Sequence, residues 1–344
     1  MPHKHFIYLV LITISLFILA FLSFLIQPRY ESSLKKGEVI FKNIENQLSD
    51  IKEINIVNNR KKISIIKKED SWHMTSKSGY KVKNEVVRKN LIQISELRFF
   101  EKKTKEKSLY SRLDLDYLND EDGASKLISI INNDKKILVE FILGKKKKNG
   151  VYIKKIEDKQ TWLTSGILDM SSVDKDWLET RIFNIDYQDV KKVSINHLNK
   201  KESFSLTKDE KNENFLIDSL PKDQIPKSDL IANFIGYFFT NLIFEDVVER
   251  KDIIDNKFLT KINFKLFDDI NIFAIIFNKE KEKEKEEDKD KDKWINFNID
   301  NESFSKLNDK KKIFVNNIEN WSYKLPSTKN NISDTKLKDL LVED

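Results

Sequence analysis

Four histidines, His3, His5, His73 and His197, are the side chains best suited to proton transfer near neutral pH, and the chain has no cysteine. Absence of thiols removes disulfides, thiolate zinc sites, iron–sulfur clusters and cysteine nucleophiles at once. His3 and His5 precede a long apolar run, which leaves His73 and His197, too few for a histidine-based metal site. A serine triad would need Ser71 or Ser76 to meet His73 and a distant acid. Nearness in sequence is no evidence of triad geometry, and His73 reads as a surface residue on a short strand beside Trp72. The seven glycines form neither G-x-x-x-x-G-K-[ST] nor G-x-G-x-x-G, and neither G-x-S-x-G nor H-E-x-x-H occurs. Carboxylate pairs are frequent (Asp114 with Asp116, Asp268 with Asp269, Glu245 with Asp246) because 34% of the chain is charged, and none stands apart as an acid and its base. Residues 116–123, DYLNDEDG, come nearest to a calcium loop and miss its spacing. No catalytic, cofactor-binding or metal-ligating residue emerges, so a non-enzymatic protein without a cofactor is expected.

The charge balance points the same way. Lys and Arg number 62 against 56 acids, a net +6, which over this length is a solvated surface more than an electrostatic footprint. Only seven of the 62 are Arg, the residue suited to bidentate phosphate contacts, and this argues against a nucleic-acid partner. Residues 279–293 are fifteen consecutive charged residues, seven Lys and eight acids, and read as a disordered loop at a hairpin tip.

The elements that would position any site repeat along the chain. Asp50 to Ile56 (DIKEINI) matches Asp189 to Ile195 (DVKKVSI) at an offset of 139, each an alternating strand followed by a second one, Ile63-Ser-Ile65 or Phe204-Ser-Leu206. Val87, Leu91, Ile94 and Arg98 recur as Ile231, Ile235, Phe238 and Leu242 at an offset of 144, and the first three of each set share a helical face. Phe99-Phe100-Glu101 answers Ile243-Phe244-Glu245 at the same offset. The hairpin at 127–143 parallels 262–278 at 135, and Asp176-Trp177-Leu178 parallels Asn320-Trp321-Ser322 at 144. Offsets this constant indicate two tandem copies of one unit, 47–183 and 186–325, with a tail at 326–344. Each copy mixes hairpins with one principal helix, so the class is α+β with mainly antiparallel sheets. Trp72, Trp162, Trp177, Trp294 and Trp321 fall at strand ends and are expected to anchor the cores. The second helix, 230–244, is apolar on nearly all sides and is expected either to lie buried between the repeats or to dock on a partner.

Ahead of the repeats, Phe6 to Ile26 is 21 residues without a charge, long enough at about 1.5 Å per residue to cross a bilayer core of about 30 Å. It lacks a small-x-small cleavage site, so residues 1–28 are expected to be a single transmembrane signal anchor, followed by a juxtamembrane linker at 29–46. Arg29, Lys35, Lys36 and Lys42 follow the span, which weakly favours a cytoplasmic body. The five-residue tail before it favours export, and the body is expected to be extracytoplasmic.

The order of Ser71-Trp72, Gly79-Tyr80, Leu97-Arg98-Phe99-Phe100-Glu101, Ile142-Leu143-Gly144, Val151-Tyr152-Ile153, Thr161-Trp162-Leu163 and Asp176-Trp177-Leu178-Glu179-Thr180-Arg181 resembles the bacterial family called domain of unknown function 4340. The resemblance covers about residues 47–250. It implies a membrane-anchored envelope protein of the bacterial inner membrane, with ABC transporter subunits of the gliding-motility type as partners, and it carries over no catalytic residue. The expected function is an extracytoplasmic scaffold or accessory module for an ABC-type transport system. The alternative is a small-ligand or glycan-binding protein using the cleft between the two repeats.

Overall fold

The computed structural model describes residues 8, 12–19, 37–117, 124–209, 213–218, 220, 223–253, 258–278 and 292–342. It corrects the expectation of a transmembrane helix: among the described residues no helix is long and apolar enough to cross a membrane. The helical stretch at 12–19 rises only about 12 Å at 1.5 Å per residue, well short of a hydrocarbon core. The remainder of the expected span lies outside the described residues.

The first unit is a nine-stranded antiparallel sheet. Its strands are β1 (Ile51–Val57), β2 (Lys62–Lys68), β3 (Ser71–Met74), β4 (Tyr80–Val82), β5 (Arg98–Lys102), β6 (Lys126–Asn132), β7 (Ile137–Lys147), β8 (Gly150–Lys155) and β9 (Thr161–Ser165). They lie in the order β4-β3-β2-β1-β6-β7-β8-β9-β5. Alternation selects the inner face: Ile54 and Ile56, Ile63 and Ile65, Ile128 and Ile130, and Val139 and Phe141 are all buried. Each such side chain removed from water contributes about 1.5–3 kcal/mol. On the opposite face, Glu53 accepts hydrogen bonds from Asn55 at 2.8 Å and Ser64 at 3.3 Å. Helix α1 (Asn84–Glu96) turns Val87, Leu91 and Ile94 onto the sheet and ends at Leu97, whose extended backbone starts β5.

A short helix α2 (Asp174–Trp177) and strand β10 (Arg181–Phe183) lead into the second unit. Its eight-stranded sheet comprises β11 (Val190–His197), β12 (Phe204–Thr207), β13 (Leu216–Ile217), β15 (Asp246–Glu249), β16 (Phe258–Leu266), β17 (Asn271–Asn278), β18 (Lys293–Asn298) and β19 (Trp321–Lys324). The order is β13-β12-β11-β16-β17-β18-β19-β15. Set against the first sheet, this is the same sequence of strands without a counterpart to β4. Helix α3 (Asn233–Gly236) and strand β14 (Leu242–Ile243) precede β15, α4 (Asn301–Asp309) follows β18, and α5 (Ser327–Asp334) follows β19.

Three sequence readings change here. Trp177 closes α2, whereas Trp321 opens β19, which stands in its sheet where β9 stands in the other. Strand order therefore matches Trp321 with the Thr161–Ser165 strand and not with Trp177. The stretch 230–244 is not one helix but turns, α3, a single 3-10 turn (Tyr237–Phe239) and β14. It buries Ile235, Phe238 and Phe239 while Leu230 stays 61% and Tyr237 49% exposed, so it is amphipathic rather than apolar all round. Lys293 belongs to β18, paired with Asn278, so the charged run reaches into the sheet, while residues 279–291 lie outside the described ones.

The units share one core. Tyr80 of β4 meets Phe244, Trp321 and Tyr323 of the second unit edge-on, at centroid distances of 5.4, 4.9 and 6.3 Å. Lys77 reaches Asp246 across the same seam at 2.5 Å and Asp174 at 3.7 Å. The connecting stretch bridges Val82 to Leu178 and Phe183 to Ile313, and β10 pairs with β14. Trp72, Trp162, Trp177 and Trp294 are buried.

Candidate functional site

The residues singled out by type are held in structural contacts. His73 donates from Nδ1 to the Gly79 carbonyl at 2.9 Å. His197 donates from Nε2 to the Thr335 carbonyl at 2.8 Å, and its Nδ1 lies 3.2 Å from the Thr260 hydroxyl. Thr260 in turn donates to the Ser333 carbonyl at 3.0 Å, so this histidine pins the segment after α5 to β11 and β16. His3 and His5 lie outside the described residues. Ser71 is on β3 and Ser76 in the exposed turn after it. Carboxylates of these pairs meet lysines: Asp114 with Lys145 at 3.4 Å, Asp269 with Lys265 at 3.2 Å, Asp268 with Lys310, Glu245 with Lys324 at 4.0 Å and Asp246 with Lys77. Most of 116–123 lies outside the described residues, and among the described ones no group of three or more His, Asp or Glu could hold a metal ion.

What the structure brings together instead is a cavity of about 560 Å³ in the second unit, around Tyr187 and Tyr237. Asp186 caps a 3-10 turn by accepting from the Gln188 amide at 2.9 Å, while Asp189 accepts from the Asp186 amide at 3.2 Å. That turn points the Tyr187 ring inward. The ring stacks on Tyr237 at 4.5 Å and 14°, meets Phe215 edge-on at 5.6 Å, and donates its hydroxyl to the Glu213 carbonyl. Lys208, buried just past β12, places its ammonium 4.1 Å from the Tyr187 ring centre and donates to the carbonyls of Tyr187 at 3.0 Å and Gln188 at 3.4 Å. Burial lowers the Lys208 pKa, opposed by Asp186, Asp189 and Glu213. Burial also raises that of Tyr187, helped by Tyr237 and Glu213.

Asn233, first residue of α3, fixes the opposite wall by accepting from the Phe215 amide at 3.0 Å and donating to Asn214 at 2.8 Å. Gly236 closes the packing: a Cβ there would fall 2.5 Å from Phe215 Cε2 and 2.6 Å from Tyr187 Cδ2. Among the described residues, Gln188, Asp209 and Phe267 also line the cavity. None of these residues emerges from a search for motifs. The available signal was Gly236 alone within an apolar helical stretch, which marks a close approach of side chains to backbone.

A second cavity of about 540 Å³ lies where the charged run leaves the sheet. Lys324 pairs there with Asp292 at 2.9 Å, Lys293 with Asp334, and the amide oxygens of Asn278 and Asn330 are buried with no hydrogen-bond partner among the described residues. Both of these cavities are walled by the second unit, and at the seam between units Tyr80 packs against Phe244, Trp321 and Tyr323.

Fold and site together define a duplicated α+β protein: two antiparallel sheets of like strand order on one core, with a mixed aromatic and polar pocket in the second. Residues 72–251, over half of the chain, match the family described as Domain of unknown function (DUF4340), and the chain belongs to that family. No curated protein and no solved structure matches the chain.

Proposed function

We propose that the chain is a non-enzymatic scaffold of the bacterial envelope, its body extracytoplasmic, acting as an accessory module to an ABC-type transport system. The observation that carries this reading is the doubled sheet on one continuous core. Duplicated units build extended interaction surfaces, and the shared rings around Tyr80 hold the two surfaces in one relative position. The backbone contacts of His73 and His197 and the lysine contacts of the paired acids give these residues structural work, which supports a role outside catalysis. The transport partner itself comes from the family resemblance.

Affinity capture of tagged full-length protein from detergent-solubilised cell envelopes, beside an untagged control, tests the reading. Stoichiometric transporter subunits with the full-length bait are the expected result, and a bait recovered alone overturns the accessory role. A C-terminal reporter active only outside the cytoplasm tests the side of the membrane; silence from a well-expressed fusion overturns it. A second reading, small-ligand or glycan binding, was expected in the cleft between the repeats; the pocket at Tyr187 and Tyr237 in the second unit supports ligand binding there.

A further inference from the structure

We infer that the pocket at Tyr187 and Tyr237 is a carbohydrate-binding site that takes an uncharged oligosaccharide, a sugar ring lying on the exposed face of Tyr237. This rests on the second reading above and is independent of the scaffold role.

The pocket has two kinds of wall, and together they select the ligand. One is flat and apolar. Tyr237, 49% exposed, lines the cavity while its other side stacks on the buried Tyr187, and Phe267 adds a further apolar surface. A platform of this kind favours a ligand with a flat face of C–H bonds. The other wall carries the Gln188 amide and the Glu213 and Asp209 carboxylates, while Asn214 and Asn233, bonded to each other, hold it in place. Amides donate and accept, carboxylates accept, and such a set matches a ring of hydroxyls. A purely apolar ligand would strip water from these groups and return nothing.

Charge excludes the commoner alternative for a pocket holding a lysine. The Lys208 ammonium is turned to the carbonyls of Tyr187 and Gln188 and to the Tyr187 ring, so it braces the platform and is not presented to a phosphate. Asp209 and Glu213 on the lining, with Asp186 close to Lys208, balance the Lys191 ammonium that lies 5.8 Å from the Phe267 ring, so the pocket offers no net positive field to an anion. The volume, about 560 Å³, is within the range of about 300–1,000 Å³ usual for small-molecule sites.

The platform is built before any ligand arrives. Tyr187 is held on one side by Lys208, on another by Phe215, and through its hydroxyl by the Glu213 carbonyl, while Gly236 leaves the space its ring occupies. A site held this way loses little freedom on binding.

The test is isothermal titration of the full-length chain, in a detergent without a sugar headgroup, with triacetylchitotriose, maltotriose and cellotriose. Tyr237→Ala, Tyr237→Phe and Gln188→Ala are titrated beside it, with thermal melts as a folding control. At least one trisaccharide is expected to bind saturably below about 10 mM. Tyr237→Ala should weaken it roughly tenfold, while Tyr237→Phe, which keeps the ring, should stay within about twofold. Gln188→Ala should weaken it less than Tyr237→Ala. No saturable binding of any of the three, or binding unchanged in a folded Tyr237→Ala chain, overturns the inference. Inorganic phosphate competing for the site would overturn the choice of an uncharged ligand. Failure of the capture experiment would leave this result untouched, because one reads co-purifying protein and the other a sugar titration of the purified chain.

Discussion

Gly236 and Lys329 show how single residues set the second unit's geometry. A methyl group at 236 would collide with the rings of Phe215 and Tyr187, so Gly236→Ala is expected to cost about 1–3 kcal/mol, read as a lower thermal midpoint. Lys329 of α5 donates to the Tyr237 carbonyl at 2.7 Å and the Thr240 carbonyl at 3.4 Å, and burial pushes its pKa down from 10.5 to about 8. The folded chain therefore releases this proton before the unfolded chain does, and stability should rise with pH between about 8 and 10.5. Lys329→Met should flatten that rise relative to the parent, and denaturant melts at pH 7, 9 and 10.5 would show it; parallel pH curves for the two chains would count against it. Residue types alone had suggested neither position. His73 and His197, conspicuous by type, form hydrogen bonds to backbone carbonyls, a role set by neighbours distant in sequence such as Thr335.

Elements were legible where a strict period governed them. β1, β2, β6 and β7 follow from alternation, because one face of each strand must be apolar, and α1 follows from Val87, Leu91 and Ile94. The stretch 230–244 was misread because an apolar count cannot distinguish a long helix from a short one broken into a 3-10 turn and a strand. The match of Trp177 with Trp321 failed for a related reason, a constant offset being no guarantee of the same strand. The segment after β19, read as a tail, packs Ile332, Leu340 and Leu341 into the core, and its Leu340 carbonyl accepts a hydrogen bond from the Lys227 amide at 2.9 Å. Ending the chain at Leu325 should cost on the order of 5 kcal/mol by apolar area alone, measurable as a shift in denaturant midpoint. Replacing 280–291 by an Asn-Gly turn, with Asp292 and Lys293 kept for their pairs to Lys324 and Asp334, should leave the midpoint nearly unchanged.

At the scale of the whole molecule the two units behave as one body because their cores meet. Tyr80, buried among Phe244, Trp321 and Tyr323, is the centre of that meeting, and Tyr80→Ala should cost about 3–5 kcal/mol. A single cooperative transition is expected in the parent chain; separate transitions for two halves would contradict a common core. Duplication was visible in the sequence through the matched hairpins, whereas the seam was not, since nothing in Gly79-Tyr80 signals partners more than 160 residues away. The expected transmembrane helix is the largest departure, since among the described residues no helix is long and apolar enough to cross a membrane.

The position of Tyr80 in the chain also sets an order on biosynthesis. All nine strands of the first sheet leave the ribosome before Phe244, and the rings that cover Tyr80 follow at 244, 321 and 323. From completion of the first sheet at Ser165 until Trp321 and Tyr323 emerge, the face around Tyr80 stays incompletely covered, a surface that invites chaperones or neighbouring nascent chains. A product released early, anywhere short of Trp321, would keep that patch for good, and quality-control proteases would meet it as a half-built protein with its joining face turned outward.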